Sequence, residues 1–372
     1  MKDARHETMD AFLDRAGWRA SRREPLPGDA STRRYIRLRQ GERTALLMDQ
    51  PQAAETAVAP ADATPEQRAA LGYNAVARLA GADVARFVAA AKYLRQQGLA
   101  APDIYDADVA NGFLLIEDLG DAIYADVLAE GADEQALYAA AIEALVQLHG
   151  AVAPLRIAPD TPLYVYDETA LLAEIDLLTQ WFLPAALKRQ STALEVSEHR
   201  ALWRAALGNL GSVSPVFVHR DYHAQNLLWL PARRGTGRVG LIDFQDALAG
   251  SAAYDVISLL EDARRDVSPA LRQAMMEHYL AQARKKSLAV TPEQFRAEAA
   301  FFAGQRNAKI IGIFARLARR DGKMRYLSLL PRVWGHMESD LAHPAMRAIQ
   351  DFYGRLIPQS ARGELSLEGA PT

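Results

Sequence analysis

The 372-residue chain has no cysteine, which excludes disulfides, thiolate nucleophiles and Cys-ligated zinc and is compatible with a reducing compartment. It also lacks an uncharged apolar run near the roughly twenty residues needed to span a bilayer. Even VARFVAAAKYL, residues 84–94, is interrupted by Arg and Lys. The first twenty residues, MKDARHETMDAFLDRAGWRA, show neither the basic start, the apolar stretch nor the small-residue cleavage site of a secretory signal. Positive charge is not in excess either: 43 Lys and Arg stand against 46 Asp and Glu, a formal net charge of −3. Bulk charge therefore does not hold nucleic acid. The expectation from these absences is a cytoplasmic protein without a nucleic-acid or membrane partner.

What is present points to a folded chain. Half of the residues are apolar and about a quarter are charged, and a chain of this length buries about three quarters of its unfolded surface, in two or so units. Apolar residues at helical spacing over 8–16 end at Gly17, predicting a short N-terminal helix. RREPLP, RRYIRLR and RTALLMD read as strands, with Gln40-Gly41-Glu42 as the turn between the last two. Residues 50–83 turn Ala-, Pro- and Thr-rich and are read as a long loop with one helical piece within 65–80. A helix over 84–97 closes at Gly98, and DIYDADVANGFLLIEDLG reads as two strands joined at Asn111-Gly112. Beyond Gly120 the pattern is helical over 134–149, 168–187, 198–210, 254–263, 269–285 and 292–318. The exception is 215–241, where VFVH, NLLWL and GLID are short β-like pieces. The expected division is a lobe over 1–117, a second over 118–358, and a disordered polar tail over 359–372.

The densest chemistry lies in that exception. His219-Arg220-Asp221-Tyr222-His223-Ala224-Gln225-Asn226 follows the apolar VFV and precedes LLWL, matching H-R-D-x-x-x-x-N. Seventeen residues after Asn226 stands Asp243, at the end of another apolar strand. That spacing fits a hairpin returning Asp243 beside Asn226. Phosphoryl transfer needs a carboxylate near the attacking hydroxyl and a divalent cation on the phosphate oxygens. Hard cations take carboxylate, amide carbonyl and water oxygens. Asp221 supplies the first need, Asn226 and Asp243 the second. Any one such residue at a strand end is more often a turn former; the ordered set is not.

This segment resembles the catalytic and metal loops of the protein-kinase-like superfamily, and within it the aminoglycoside phosphotransferase branch, which has a second His at the place of His223 and an Asp-aromatic-polar triplet, here Asp243-Phe244-Gln245. The resemblance implies an α+β bilobal fold, with a small antiparallel β-rich N-terminal lobe and a larger, mainly helical C-terminal lobe, working with ATP and Mg²⁺ on a small molecule as a monomer. It further implies that Asp221 is the catalytic base, that Asn226 and Asp243 bind Mg²⁺, and that His219 and His223 brace the loop. Asp255 resembles the branch's buried carboxylate that anchors the loop; a plain helix N-terminal carboxylate is the competing reading. Gly28 to Tyr35, between the first two strands, occupies the place where this fold covers nucleotide phosphates. Ser31 and Thr32 offer hydroxyls there, Arg33 and Arg34 charge. If both arginines begin a strand, they point to opposite faces. Glu117 and Leu119, straight after FLLI, resemble the segment between lobes whose backbone pairs with adenine.

One feature of the pattern is missing. ATP-dependent relatives carry a Lys on the third strand, paired with a Glu on the following helix; RTALLMD offers Met48 or Asp49, and residues 84–97 contain no Glu. Arg33 or Arg34 is the candidate substitute. Between Phe301 and Arg332 eight Lys and Arg stand against one acidic residue, Asp321, the wrong sign for a pocket selecting polycations. Gln305-Arg306-Asn307, GIFARLARRDGK, YL and LPRVW, with GDASTRRY and LLMDQP, resemble a narrower group, the bacterial kinases of the anomeric hydroxyl of N-acetylmuramate and N-acetylglucosamine, whose third strand also has no Lys. That resemblance implies an amino-sugar substrate in cell-wall recycling, with Arg306 toward a lactyl carboxylate, Gln305 or Asn307 toward hydroxyls or the acetamide, and His223 at the acceptor. An antibiotic or other small-alcohol kinase, and a nucleotide-binding pseudokinase, remain as alternatives.

Overall fold

The computed structural model describes residues 2–27, 33–51, 60, 63–73, 76, 81, 83–211, 214–363 and 365. Its first part is an antiparallel sheet of β1 (Arg22–Pro25), β2 (Arg34–Gln40), β3 (Arg43–Asp49), β4 (Ile104–Asp108) and β5 (Phe113–Ile116), in the order β1-β2-β3-β5-β4. Gly41, at φ 60°, makes the turn between β2 and β3 as read from the sequence. Strand alternation divides the faces. Leu38, Ala45, Leu47, Phe113 and Leu115 point outward and are buried under α1 (Lys2–Arg15) by Met9, Phe12 and Leu13. Burying each such side chain contributes roughly 1.5–3 kcal/mol. Leu46, Met48, Leu114 and Ile116 point toward the rest of the molecule. α1 begins several residues before the periodic stretch because Arg5 pairs with Asp49 and lies 4.0 Å over the Phe113 ring. The tertiary contact holds a polar turn that periodicity misses.

In the segment expected to be loop, α2 (Pro65–Leu71) opens with a reciprocal Thr64–Gln67 capping box. The remaining positions of its expected span, 74–75 and 77–80, lie outside the described residues. α3 (Val84–Gln96) starts at an Asp83 cap and stops before Gly98, whose φ is 79°. It packs Phe87 against Phe244, ring centroids 4.8 Å apart, linking the smaller lobe to the catalytic segment.

The larger lobe contains α4 (Tyr124–Ala129), α5 (Glu134–Leu148), α6 (Glu168–Leu177), α7 (Leu183–Leu187), α8 (Ala193–Asn209), α9 (Ala253–Leu260), α10 (Pro269–Lys285), α11 (Pro292–Asp321), α12 (Leu330–Leu341) and α13 (Arg347–Leu356). A π turn, Leu178–Phe182, joins α6 to α7. The joined span Glu168–Leu187 is long and apolar enough to cross a membrane by length and composition, but it carries Glu168, Glu174 and Asp176, and 67% of its apolar 18-residue window is buried inside the lobe. Six short strands follow β5 along the chain among the described residues: β6 (Arg156–Ala158), β7 (Thr161–Pro162), β8 (Val216–Val218), β9 (Leu227–Trp229), β10 (Val239–Leu241) and β11 (Leu248–Gly250). α11 is the lobe's axis, and it meets α6 at Gly312. A Cβ there would lie 2.3 Å from the backbone carbon of Leu177, so only glycine permits this approach. Of the tail, Gln359–Ala361 form a 3₁₀ turn, whereas 364 and 366–372 lie outside the described residues.

Candidate active site

The catalytic segment leaves β8, whose three residues are all buried, and its first two amides are captured at once. His219 N–H donates to Asp255 Oδ2 at 2.7 Å and Arg220 N–H to Oδ1 at 2.8 Å. Asp255 is fully buried in the first turn of α9, so it anchors the loop from a helix N-terminal position. Arg220 has a φ of 78° and Asp243 a φ of 62°. Such backbone strain costs of order 1–3 kcal/mol per residue and persists only where the surroundings over-determine it. Here the Asp255 bonds fix the first strained residue, and the Arg220 side chain is tied to Glu174 of α6. His219 is packed edge-on against Tyr222 and Phe244, at 5.5 and 6.3 Å.

The expected hairpin is present: Leu227 of β9 pairs with Leu241 of β10, and Ile242 N–H donates to the Asn226 carbonyl at 3.2 Å. That register sets Asp243 beside Asn226. The Asn226 Nδ2 donates to the Asp221 carbonyl at 2.9 Å and lies 3.5 Å from Asp243 Oδ2 and 3.4 Å from His223 Nε2. The amide nitrogen is thereby engaged on the protein side. Asp243 Oδ1 accepts from Gln245 Nε2 at 2.8 Å and from Arg33 Nη1 at 3.2 Å. One carboxylate and one amide oxygen, with no group of three or more His, Asp or Glu set to hold a metal among the described residues, suit a cation whose remaining positions go to phosphate and water, as Mg²⁺ prefers.

Charge is set differently on the two carboxylates. Burial by itself would raise Asp221, but the Lys309 and Arg220 cations outweigh it and hold the group below the usual carboxylate range. Burial and the nearby Asp221 push Asp243 up, with Arg33 opposing. Burial brings His223 down to about 4, against the raising pull of Asp262 and Asp221, so its ring is neutral near pH 7.

Two cavities meet at these residues. One, of about 210 Å³, lies under the sheet against Tyr35, Leu46, Phe87, Ile116 and Leu119; the other, of about 250 Å³, is bounded by Asp221, His223, Arg264, Arg306 and Lys309. Asn226 and Asp243 line both. At the first cavity, neither the Glu117 carbonyl nor the Leu119 amide bonds another described residue. The Glu117 carboxylate pairs with Arg233, so only its backbone is available to a ligand. Arg33 is buried against Asp243 while Arg34, the first residue of β2, is exposed; one of the two arginines faces the crevice. Ser31 and Thr32 lie outside the described residues. The third-strand position is filled by Met48, fully buried two residues beyond Leu46 on the same face. On α3, Arg86 donates to the carbonyls of Pro162 at 3.0 Å and Ala247 at 3.4 Å.

α11 corrects the acceptor expectation. Consecutive helical residues point about 100° apart, so Gln305, Arg306 and Asn307 part company. Gln305 Nε2 donates to Glu174 at 2.9 Å, deep in the lobe. Asn307 Nδ2 donates to Glu261 and Asp340, both at 2.9 Å. Both amides are buried structural groups and neither borders the cavity; Arg306 does. The helix stripe lining the cavity is Arg306, Lys309, Ile310, Ile313 and Phe314, the i, i+3, i+4, i+7, i+8 pattern of a single face. That spacing was the available signal for Lys309, which the sequence reading counted as charge without placing in the site. Lys309 Nζ lies 3.1 Å from Glu174 Oε1. Glu174, fully buried, would be raised by burial, yet Lys309 and Arg220 bring it to about 2. No local pattern marked Glu174, since its charged partners, Arg220 and Lys309, come from two distant segments. Arg37, also unmarked, ties β2 to Asp118 and Asp121, both at 2.7 Å, across the mouth of the first cavity.

The chain is similar to known proteins. Residues 22–290 match the model of the phosphotransferase enzyme family. A Caulobacter vibrioides protein named N-acetylmuramate/N-acetylglucosamine kinase is 43% identical over 371 residues, covering 97% of this chain and 99% of the relative. A Pseudomonas aeruginosa protein of the same name is 31% identical, covering 96% and 98%. Among solved structures, a choline/ethanolamine kinase family protein from Mesorhizobium loti superposes with a TM-score of 0.55 at 13% identity, covering 94% of this chain and 98% of that one. An ADP-bound aminoglycoside phosphotransferase gives 0.54 at 16% identity, covering 91% and 98%; these two likenesses concern the fold. With the family model spanning most of the chain and relatives of this identity along nearly its whole length, the chain belongs to the phosphotransferase enzyme family.

Proposed function

We propose that the protein transfers the γ-phosphoryl group of ATP to the anomeric hydroxyl of N-acetylmuramate and N-acetylglucosamine. The observation that carries this reading is the meeting of an apolar cavity and a cationic one at Asn226 and Asp243, with Asp221 on the cationic side. Adenine fits the apolar cavity, where the Glu117 carbonyl accepts its amino group and the Leu119 amide donates to a ring nitrogen. Arg33 supplies the charge next to the phosphates that β3 does not. Asn226 Oδ1 and Asp243 would hold Mg²⁺, which when bound offsets charge on the phosphate oxygens. Asp221, kept ionised by Lys309 and Arg220, takes the proton from the sugar hydroxyl as its oxygen forms the new bond to phosphorus and the bond to ADP breaks. The bonds of Asp255 to the loop amides keep that carboxylate in place.

The sugar itself is inferred from the names of the two bacterial relatives, and the cationic acceptor cavity supports it over a polycationic antibiotic. Retention of Asp221 with Asn226 and Asp243 disfavours a binding-only role. The test incubates the protein with Mg²⁺, γ-labelled ATP and each free sugar, and identifies the product by phosphorus-to-C1 coupling in its NMR spectrum. The expected result is the sugar 1-phosphate. Label on an aminoglycoside or another alcohol, with none on either sugar, overturns the reading.

A further inference from the structure

A guanidinium removed from water normally has a carboxylate against it, because an unpaired buried charge is costly. Arg306 departs from that rule. It is 6% exposed, yet among the described residues no carboxylate oxygen lies within 4.0 Å of it. Of its five N–H donors, one bond is made, to the Glu261 carbonyl at 3.2 Å. None of its nitrogens is both buried and unpaired, so the remaining donors open into the 250 Å³ cavity that Arg306 lines. Arg264 reaches the same cavity from the segment between α9 and α10; its backbone N–H donates to Asp262 Oδ1 at 2.8 Å, but its guanidinium too has no carboxylate partner among the described residues. Lys309, one turn on from Arg306, differs from both because Glu174 and the Tyr254 hydroxyl engage it, at 3.1 and 3.2 Å. The cavity thus has two uncommitted guanidiniums on two separate elements, and they want an anion.

The anion belongs to the acceptor. Neither arginine lines the nucleotide-side cavity, which Asn226 and Asp243 separate from theirs. The two sugars of the proposed reaction share a ring and an acetamide and differ by one anionic group, the carboxylate of the lactyl ether on N-acetylmuramate. Planar guanidinium and carboxylate match in a two-bond fork. We propose that Arg306, with Arg264, binds that carboxylate and sets the preference for the acidic sugar over its neutral counterpart. This specificity role rests on the sugar-kinase reading above.

The test measures kcat/KM for both sugars in the wild type and in Arg306→Gln, Arg306→Lys and Arg264→Gln. Charge-assisted bonds of this kind correspond to about 10- to 100-fold. The expected result is a fall of that size in the N-acetylmuramate to N-acetylglucosamine ratio for Arg306→Gln, residing in KM, with partial recovery in Arg306→Lys. Arg264→Gln, at an exposed position, should shift the ratio the same way by a smaller factor and keeps the test open if Arg306→Gln fails to fold. An equal loss on both sugars assigns the guanidinium to the fold or to the transferred phosphoryl group and overturns the proposal. An unchanged ratio in both Gln variants overturns it too. A wild type inactive on both sugars overturns the sugar-kinase reading and this one together, whereas an active wild type with undiscriminating variants overturns this one alone.

Discussion

The two cavities that share Asn226 and Asp243 are built by opposite means. On the nucleotide side, strands and the segment after β5 present apolar side chains, and the open hydrogen-bonding groups belong to the backbone. On the acceptor side, one face of α11 and the loop before α10 present charged side chains. A site read through backbone tolerates many sequences of similar shape. One read through side-chain charge changes with a single substitution. The difference also assigns robustness: the nucleotide side depends on sheet geometry, the acceptor side on how closely α11 stays against α6.

The largest effect should come from the carboxylate at their junction. Asp221→Asn is expected to lower kcat by about 10²–10⁴-fold while calorimetry shows ATP affinity unchanged; retained turnover would remove Asp221 from the role of base. Acid should act on the side that holds a histidine. His223 sits at about 4 in the folded chain, and His199, deep in the larger lobe, at about 3, both brought down chiefly by burial from 6.5. Between pH 6.5 and 4 these two histidines bind more protons in the unfolded chain than in the folded one, and the stability they contribute is lost as pH falls, by roughly 1 kcal/mol each. Melting curves at pH 7 and 5.5 check this; a pH slope identical in wild type and His199→Gln contradicts it.

Gly312→Ala should push α11 from α6, costing about 1–3 kcal/mol by overpacking. The melting temperature should drop and the sugar KM rise, with the ATP KM held. A rise in both KM values would erase the distinction between the two sides. Arg33→Ala should raise the ATP KM about tenfold, the scale of one charge-assisted bond, leaving the sugar KM in place. Arg34→Ala, on the exposed face, should do nothing to either. Equal behaviour of the two arginines in steady-state kinetics would sink the substitution of Arg33 for the absent strand lysine.

Much of the site could be read in the chain because its parts are local. Residues 219–226 form one loop, and the short β9–β10 hairpin delivers Asp243 by sequence spacing alone. The strands, their turn at Gly41 and helix ends such as Gly98 follow from alternation and φ. What escaped lies where partners are remote. Glu174 matters because Arg220 and Lys309, far from it in the chain, converge on it. Gln305 and Asn307 looked like Arg306 because they adjoin it, yet a helix buried on most sides sends three neighbours to three environments. α12 and α13 passed unremarked, and α1 began earlier than periodicity suggested.

By itself the sequence determined that Asp221, Asn226 and Asp243 come together, since their order and spacing constrain a short stretch of backbone whatever surrounds it. Only the tertiary structure decided which cations serve the two sides. Arg33 and not Arg34 faces the crevice, and Arg306 is left without a carboxylate among the described residues while Lys309 is paired with Glu174. The reason is that a charge acts through what lies within a few ångströms of it, and those neighbours are brought together by packing between segments far apart along the chain.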